Sequence, residues 1–185
     1  MTATRTPRVR LRAPTRNDQR AFLALVRESR SLHRPWAYPP DTPARYRAYL
    51  SRARRDDFRA FLVCRKDDGS IVGVINASQI VRGDFRSAYL GYWGAQRFRG
   101  QGLMTEGMRA LLREAFVRMR LHRLEANVQP GNTASLALLA RCGFRREGLS
   151  PRYLKIGGRW RDHERWALLR EDWPARRIDP TVTSG

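Results

Sequence analysis

The stretch RFRGQGLMTEG, residues 97–107, places Gly100 and Gly102 directly before an apolar run with helical spacing. Glycine weakens a helix interior, but it lets the backbone curl closely around an anion because it has no Cβ. A helix N-terminus adds unpaired N–H groups and the positive end of the helix dipole. The stretch therefore predicts either a plain turn or a phosphate-binding loop, with Arg97 and Arg99 adding charge at its rim.

The glycine loop matches neither of two common phosphate-binding motifs. The Gly-Lys-Ser/Thr ending of a Walker loop does not follow Gly102. A Rossmann fingerprint requires a β-α-β unit, whereas the strand predicted before Gly100 ends a run of antiparallel strands. The loop alone therefore does not identify its ligand.

The segments that precede the loop predict four strands and two helices. Runs rich in β-branched and aromatic residues predict strands around residues 8–15, 59–65, 70–81 and 87–94. Thr15 is predicted to cap a helix whose apolar face consists of Phe22, Leu25 and Val26. A second helix is predicted over Tyr46–Arg54, and the proline-rich segment 29–43 between the two predicts a surface loop.

The segments that follow the loop complete an α+β domain. Apolar residues recur at helical spacing from Leu103 to Met119, which predicts an amphipathic helix. A strand at 123–128 and a second helix follow, the helix opened by Asn132 and closed by Gly143. A Gly-Gly hairpin with long arms comes last. We expect residues 1–173 to form one domain and residues 174–185 to be a loosely ordered tail.

The composition limits the function classes. Hydrophobic residues make up 42% of the 185, which indicates a folded protein, and no apolar run approaches a membrane span. The two cysteines suggest buried thiols and, with no secretory signal, a cytoplasmic protein. Whether it is a monomer or a homodimer stays open at this point. The 37 Lys and Arg against 17 Asp and Glu predict either contact with RNA or ribosomes, or only the arginine bias of a GC-rich coding sequence.

Two motifs together resemble a known enzyme superfamily. The spacing Arg97-x-x-Gly100-x-Gly102 resembles the (Arg/Gln)-x-x-Gly-x-(Gly/Ala) motif of the GNAT N-acetyltransferases. The stretch NVQPGNTASLALLARCGF, residues 127–144, resembles their second signature, in which an Asn opens a helix that ends in Gly-Phe. With YLKIGGRWRDH, residues 153–163, the sequence is similar to the RimJ type, the ribosomal-protein-alanine N-acetyltransferases.

The resemblance implies a GNAT fold, an α/β/α sandwich-like arrangement around a mixed, mostly antiparallel sheet flanked by helices. The sheet would be splayed between its fourth strand, Ala88–Trp93, and its fifth, Arg123–Val128. Acetyl-CoA would lie in that opening and no metal would be needed. The implied acetyl-CoA contacts are Tyr92, Trp93, Arg97, Phe98, Arg99, Gly100, Gln101, Gly102, Leu103, Met104, Thr105 and Asn132.

The implied reaction is attack of a neutral amine on the thioester. An N-terminal α-amine has an ordinary pKa of about 7.7–8.0, so it needs little help from a base. Glu125 is either that base, acting through a water, or an ordinary carboxylate paired with an arginine. Glu106 is expected to support the cofactor helix, while His122 and His163 are weaker candidates for the base.

The departing thiolate also needs a proton donor. Many GNAT enzymes use a Tyr at the position that matches Leu139, so this sequence lacks that acid. Ser135 resembles the serine assigned to this role in RimL-like relatives, and it is predicted either to donate to the thiolate or only to pack in the helix turn. A thiol with a pKa of about 8.5 is a good leaving group, so one hydrogen bond would be enough.

The acceptor is expected between the proline-rich segment and the C-terminal hairpin. The residues predicted to line its channel are His33, Trp36, Tyr38, Tyr153 and Trp160, with Trp36 and Trp160 alternatively covering the core. The sequence thus predicts acetylation of an N-terminal alanine on a ribosomal or other protein. The alternatives are acetylation of a small amine, such as a polyamine or an aminoglycoside, and a non-catalytic module that binds RNA or the ribosome.

Overall fold

The structure, a computed structural model, describes residues 6–173, so the predicted tail 174–185 lies outside the described residues. Its centre is one seven-stranded sheet in the order β1-β2-β3-β4-β5-β7-β6. Neighbouring strands are antiparallel except for the parallel pair β4 and β5, as the predicted mixed, mostly antiparallel sheet requires. The strands are β1 (Val9–Arg12), β2 (Phe58–Arg65), β3 (Ile71–Val81), β4 (Ser87–Gly94), β5 (Arg123–Val128), β6 (Arg145–Ile156) and β7 (Arg159–Leu169).

Helices cover both faces of the sheet. They are α1 (Gln19–Glu28), α2 (Arg30–His33), α3 (Pro43–Arg52), α4 (Leu103–Arg113) and α5 (Thr133–Arg141). Apolar residues of α4 and α5 form one core with the sheet, and those of α1 and α3 form a second core on the opposite face. Successive residues of β2 alternate between the two cores, with Val63 in the first and Leu62 and Cys64 in the second.

Strands β4 and β5 pair over only three residues each. Ser87, Ala88 and Tyr89 face Arg123, Leu124 and Glu125 in parallel register. Beyond that point β4 stays paired with β3 as far as Gly94, and β5 stays paired with β7 as far as Val128. The two strands therefore diverge, which confirms the predicted splayed sheet.

The proline-rich segment is more ordered than a surface loop, and that prediction was wrong at residues 30–33. Helix α2 follows α1 after the single residue Ser29, and the His33 N–H donates to the Ser29 carbonyl at 3.0 Å. The His33 side chain is buried, with 4% of its surface exposed. A residue predicted for the acceptor channel therefore sits within packed structure.

Two predicted helices have different bounds in the structure. Helix α3 begins at Pro43 rather than Tyr46, because Thr42 caps it and proline suits the first helical position. Helix α4 begins at Leu103 as predicted, but after Arg113 it widens into a π-helical turn over Glu114–Arg118. No helix of residues 6–173 is long and apolar enough to span a membrane.

Candidate active site

A cleft of about 480 Å³ opens where β4 separates from β5. One wall is the end of β4, at Tyr92, Trp93 and Gly94, and the opposite wall is the start of α5, at Asn132 and Ser135. The glycine loop closes one end of the cleft. Its described lining residues are Leu32, His33, Trp36, Ala37, Val72, Tyr92, Trp93, Gly94, Ala95, Phe98, Arg99, Gly100, Gly102, Met104, Thr105, Asn132, Ala134, Ser135, Leu138 and Arg141.

The glycine loop has a backbone conformation that suits glycine. Gly100 and Gly102 have φ angles of +77° and +76°, which lie in the left-handed region that other residues rarely adopt. Helix α4 starts at the next residue, Leu103, so its first-turn N–H groups lie at the same end of the cleft. The loop therefore presents a helix N-terminus to any anion held in the cleft.

Arg8, just before β1, anchors this loop from behind. Its guanidinium donates to the Gln101 carbonyl at 2.8 Å and lies 2.6 Å from the Glu106 carboxylate. The Arg8 backbone N–H also donates to Glu106, at 2.8 Å. Glu106 therefore ties the first turn of α4 to the edge of the sheet, which agrees with the supporting role expected for it.

Tyr92 and Ser135 meet inside the cleft. The two hydroxyl oxygens are 2.6 Å apart, and burial raises the pKa of the Tyr92 phenol well above its usual range. Asn132 caps α5 by accepting a hydrogen bond from the Ser135 N–H at 3.3 Å. Leu139, which matches the acid Tyr of other GNAT enzymes, is fully buried in the core.

His33 contacts the end of β4, at Trp93 and Gly94. Its Nε2 is 2.9 Å from the Gly94 carbonyl oxygen, and its ring packs edge-on against Trp93 with the centroids 4.9 Å apart. Because a carbonyl only accepts, Nε2 carries the ring proton. Burial lowers the pKa of His33, so the neutral ring dominates near pH 7.

Two further cavities adjoin the cleft on the side of α1 and α3. The larger, about 600 Å³, shares Tyr92 and Trp93 with the cleft and has no Asp or Glu among its described lining residues. The other, about 500 Å³, shares His33 with the cleft and has Asp41 as its one described carboxylate. Arginines line both cavities, namely Arg27, Arg30, Arg34, Arg45 and Arg52.

Most of the residues predicted to contact the cofactor line the cleft. Those that do are Tyr92, Trp93, Phe98, Arg99, Gly100, Gly102, Met104, Thr105 and Asn132. Arg97 and Gln101 lie at the outer side of the loop, joined by a hydrogen bond from Gln101 Nε2 to the Arg97 carbonyl at 3.2 Å. Leu103 packs into the core with 3% of its surface exposed.

The residues predicted for the acceptor divide into two groups. His33 and Trp36 line the cleft, and Tyr38 lines the two adjoining cavities and lies against Gly157 in the β6–β7 turn. Tyr153 and Trp160 lie outside the cleft on β6 and β7. Trp160 keeps 61% of its surface exposed, so it does not cover the core.

The predicted base Glu125 also lies outside the residues that line the cleft. Its carboxylate accepts a hydrogen bond from Arg123 Nε at 2.9 Å, and Arg123 also pairs with Glu147. These contacts agree with the second alternative for Glu125, an ordinary carboxylate paired with an arginine. His122 pairs with Glu171 at 3.1 Å, and His163 Nδ1 contacts the Arg161 carbonyl at 2.9 Å. Neither histidine is among the described residues that line the cleft.

The sequence reasoning missed three cleft residues on α5, namely Ala134, Leu138 and Arg141. Leu138 and Arg141 continue a helical spacing of three residues that starts at Asn132 and Ser135. Residues three apart share a helix face, so this signal was present in the sequence. Arg141 adds a second positive charge, besides that of the loop arginine Arg99, to the lining of the cleft.

The splayed sheet, the glycine loop before α4 and the cleft between them define an acyl-CoA-binding acetyltransferase fold. Residues 8–145 match the family model of the acetyltransferase (GNAT) domain. The chain belongs to the GNAT acetyltransferases.

The chain is similar to enzymes of two acceptor types. It is 38% identical to the [ribosomal protein uS5]-alanine N-acetyltransferase of Escherichia coli K12, over 79% of each chain. It matches the structure of Mycobacterium smegmatis RimJ in complex with CoA-disulfide at a TM-score of 0.83 and 33% identity, covering 92% of this chain and 87% of that one. A spermidine N-acetyltransferase from Vibrio cholerae matches at a TM-score of 0.74 and 23% identity, covering 90% and 98%, and so shares the fold.

The cleft suits acetyl-CoA, the acetyl donor of GNAT acetyltransferases. The edge of β4 that faces the opening is not paired with β5 beyond Tyr89, so its backbone groups are available to an extended amide-bearing chain such as pantetheine. The glycine loop and the helix N-terminus at Leu103 suit a pyrophosphate. Arg99 and Arg141 add the positive charge that phosphates require.

Proposed function

We propose that this acetyltransferase transfers the acetyl group of acetyl-CoA to the N-terminal α-amine of a protein, an N-terminal alanine of a ribosomal protein being the leading candidate. The similarity to the uS5-alanine enzyme over most of both chains supports this acceptor. So does the similarity to the RimJ structure. The reaction is direct: the amine nitrogen forms a bond to the acetyl carbon, and the carbon–sulfur bond breaks.

The lining of the acceptor side is the structural observation that carries this choice. A polyamine or an aminoglycoside is polycationic and binds best where carboxylates line the pocket. Here the two cavities beside the cleft carry five arginines and one carboxylate. That carboxylate, Asp41, is 2.9 Å from Arg45 Nη1 and 4.0 Å from Arg30. An N-terminal peptide with one amine and a small first side chain meets less repulsion there.

Each part of the reaction is assigned to different residues of this chain. The backbone of β4 near Tyr92 and Trp93 holds the pantetheine and polarises the thioester carbonyl. Residues of the glycine loop, with Arg99, hold the pyrophosphate, and Asn132 donates to the pantetheine arm from the start of α5. Ser135 donates a hydrogen bond to the departing thiolate, which is a good leaving group with an ordinary pKa of about 8.5.

The deciding experiment measures thiol release from acetyl-CoA with two acceptors, an Ala-initiated peptide from ribosomal protein uS5 and spermidine. We expect turnover of the peptide with kcat/KM at least about tenfold above that of spermidine. A peptide blocked by prior N-terminal acetylation should give no turnover. Turnover of spermidine alone would overturn the proposed acceptor and leave the acetyltransferase activity in place.

The basic surface suggests a second arm for the same experiment. If the net charge of +20 assists docking on the ribosome, turnover of ribosome-bound uS5 should fall steeply with salt, while turnover of the free peptide should not. If turnover of the two acceptors depended equally on salt, the excess positive charge would have no role in docking.

A further inference from the structure

His33 has one ring nitrogen that no described group engages. Its Nε2–H is held by the Gly94 carbonyl at 2.9 Å, which fixes the tautomer and leaves Nδ1 with a free lone pair. Nδ1 is buried and has no hydrogen-bond partner among residues 6–173. A buried acceptor without a partner is costly, so its presence points to a group that supplies a proton there when substrates are bound.

The position of His33 connects the two halves of the site. Its side chain lines both the cofactor cleft and the adjoining 500 Å³ cavity. Its ring is held between Gly94 and Trp93, at the end of β4 where the thioester carbonyl is expected. His33 is therefore shared by the cleft that suits the thioester and a cavity on the acceptor side.

Other bases are missing from the described lining of these cavities. No Asp or Glu is among the described residues that line the cleft or the 600 Å³ cavity. Asp41, which lines the 500 Å³ cavity, is paired with Arg45. Glu125 is engaged by Arg123 and lies outside the lining. A neutral histidine with a fixed tautomer is the one remaining group of suitable chemistry among the described lining residues.

The geometry points to His33 as the general base of the acetyl transfer, with Nδ1 accepting the proton of the attacking amine. This inference rests on the proposed function only for the identity of the amine. As the C–N bond forms, the amine nitrogen loses one proton to Nδ1, and the imidazolium returns it to solvent after the product leaves. The C–S bond breaks, and the sulfur leaves as a thiolate that accepts a hydrogen bond from Ser135. The thiolate takes a proton from solvent, which balances the proton that the imidazolium returns, so the products are an N-acetylated amine and a free thiol.

The surroundings of His33 favour the neutral form that a base requires. The cavities that His33 lines carry arginines from α1, α2, the segment before α3, α3 itself, the glycine loop and α5, and Asp41 is the one carboxylate among their described lining residues. Burial disfavours the imidazolium, so the ring is ready to accept a proton near neutral pH. The arginines concerned are Arg27, Arg30, Arg34, Arg45, Arg99 and Arg141.

The test is the variant His33→Gln, measured with whichever amine the wild-type enzyme acetylates. Glutamine keeps a side-chain N–H to donate to the Gly94 carbonyl, but it does not accept a proton near neutral pH. We expect kcat to fall by about 100-fold while the KM for acetyl-CoA changes by less than about twofold. The wild-type kcat measured at saturating amine should fall at low pH through protonation of His33, and this fall should be absent in the variant; the kcat/KM for the amine falls at low pH in both proteins, because it also reports protonation of the free amine.

A matched control is Tyr46→Phe. Tyr46 is also fully buried and also bonds a backbone carbonyl, that of Thr15 at 2.8 Å, but it lines none of the three cavities. It should lower stability and leave kcat within about twofold of wild type. If His33→Gln behaves like Tyr46→Phe, with kcat retained, the assignment of His33 as the base is overturned.

A second variant keeps the test decisive if the glutamine variant does not fold. In His33→Ala, added imidazole should restore part of the lost turnover, in proportion to its neutral fraction. Absence of rescue in a folded, acetyl-CoA-binding His33→Ala protein would overturn the assignment. Because both variants are assayed on the amine that the wild type uses, a switch from peptide to spermidine would overturn only the proposed acceptor.

Discussion

The phenolic oxygen of Tyr92 lies 2.6 Å from the hydroxyl oxygen of Ser135, which joins β4 to α5 across the cleft. When Tyr92 donates this hydrogen bond, the Ser135 proton is free to point to a third atom. The pKa of Tyr92 is raised by burial, so its phenol stays protonated throughout the physiological range. The pair can therefore supply one hydrogen bond to a thiolate without a change of charge in the resting enzyme.

Ser135→Ala should lower kcat by at least about tenfold, because the departing thiolate loses its hydrogen-bond donor. The KM for acetyl-CoA should change much less, since Asn132 and the glycine loop remain. Steady-state kinetics on the preferred amine measure both quantities. An unchanged kcat would remove Ser135 from the mechanism.

Tyr92→Phe should reproduce part of that loss, because phenylalanine keeps the packing and removes only the hydroxyl that orients Ser135. In the double variant the two losses should not add, since each removes the same hydrogen-bonded unit. Full additivity of the two effects on kcat would show that Tyr92 and Ser135 act separately.

Gly100→Ala should raise the Kd for acetyl-CoA severalfold. The φ angle of +77° costs a non-glycine residue about 1–2 kcal/mol, so the loop would relax away from the geometry that receives the pyrophosphate. Gly83→Ala is the matched control, since Gly83 has φ +68° and equally open surroundings but lies outside the cleft. Calorimetry should show similar losses of stability for the two variants. The Kd for acetyl-CoA should change only in Gly100→Ala.

Arg8→Ala should also weaken acetyl-CoA binding, although Arg8 is absent from the lining of the cleft. It removes the hydrogen bond to the Gln101 carbonyl and the ion pair with Glu106, so the loop loses its support. We expect a severalfold higher KM for acetyl-CoA with little change in kcat. Arg10→Ala, at an exposed arginine of β1 two residues further along, serves as the control, and an equal effect there would indicate general charge rather than loop support.

Asp18→Asn tests the capping of the segment before α1. The pKa of Asp18 is lowered by hydrogen bonds from Arg12, and the Thr15 N–H also donates to it at 2.8 Å. The carboxylate therefore stabilises the fold above its unfolded-state pKa, near 3.8, and this contribution is lost as pH falls through the lower folded-state pKa.

At pH 7 the Asp18→Asn variant should be less stable than wild type by about 1–3 kcal/mol, measured by urea unfolding. The difference should shrink as pH falls below about 4, where the wild-type carboxyl is itself protonated. The exposed Asp56→Asn variant should show almost no difference at either pH. If the stability difference between Asp18→Asn and wild type did not change with pH, Asp18 would act through the packing of its side chain rather than through its charge.

The sequence allowed the central architecture to be predicted because its signals are local. Gly100 and Gly102 set the conformation of the loop, Leu103 begins α4, and Asn132 caps α5, each through its own backbone neighbours. Periodic apolar residues then assign the strands and the long helix. The separation of β4 from β5 was predicted from the family resemblance in these same segments, because no local sequence pattern encodes it.

The side-chain partners in the site were harder to predict, because they join residues far apart in the chain. Tyr92 and Ser135 are 43 positions apart, and Arg8 and Glu106 are 98 apart. The prolines around His33 predicted an exposed loop, and the helical turn that buries this residue depends on packing against β4. The carboxylate chosen from its strand position, Glu125, is engaged by an arginine two residues away.

The three-residue contact between β4 and β5 has a consequence for the protein's behaviour in the cell. Residues 90–94 keep their hydrogen bonds to β3, but β5 leaves their other edge unpaired. Acetyl-CoA bound along that edge would act as a surrogate strand and slow amide hydrogen exchange there. The stability of this part of the sheet would then depend on the concentration of acetyl-CoA. A fall in that concentration would lower both the amount of substrate and the stability of the enzyme.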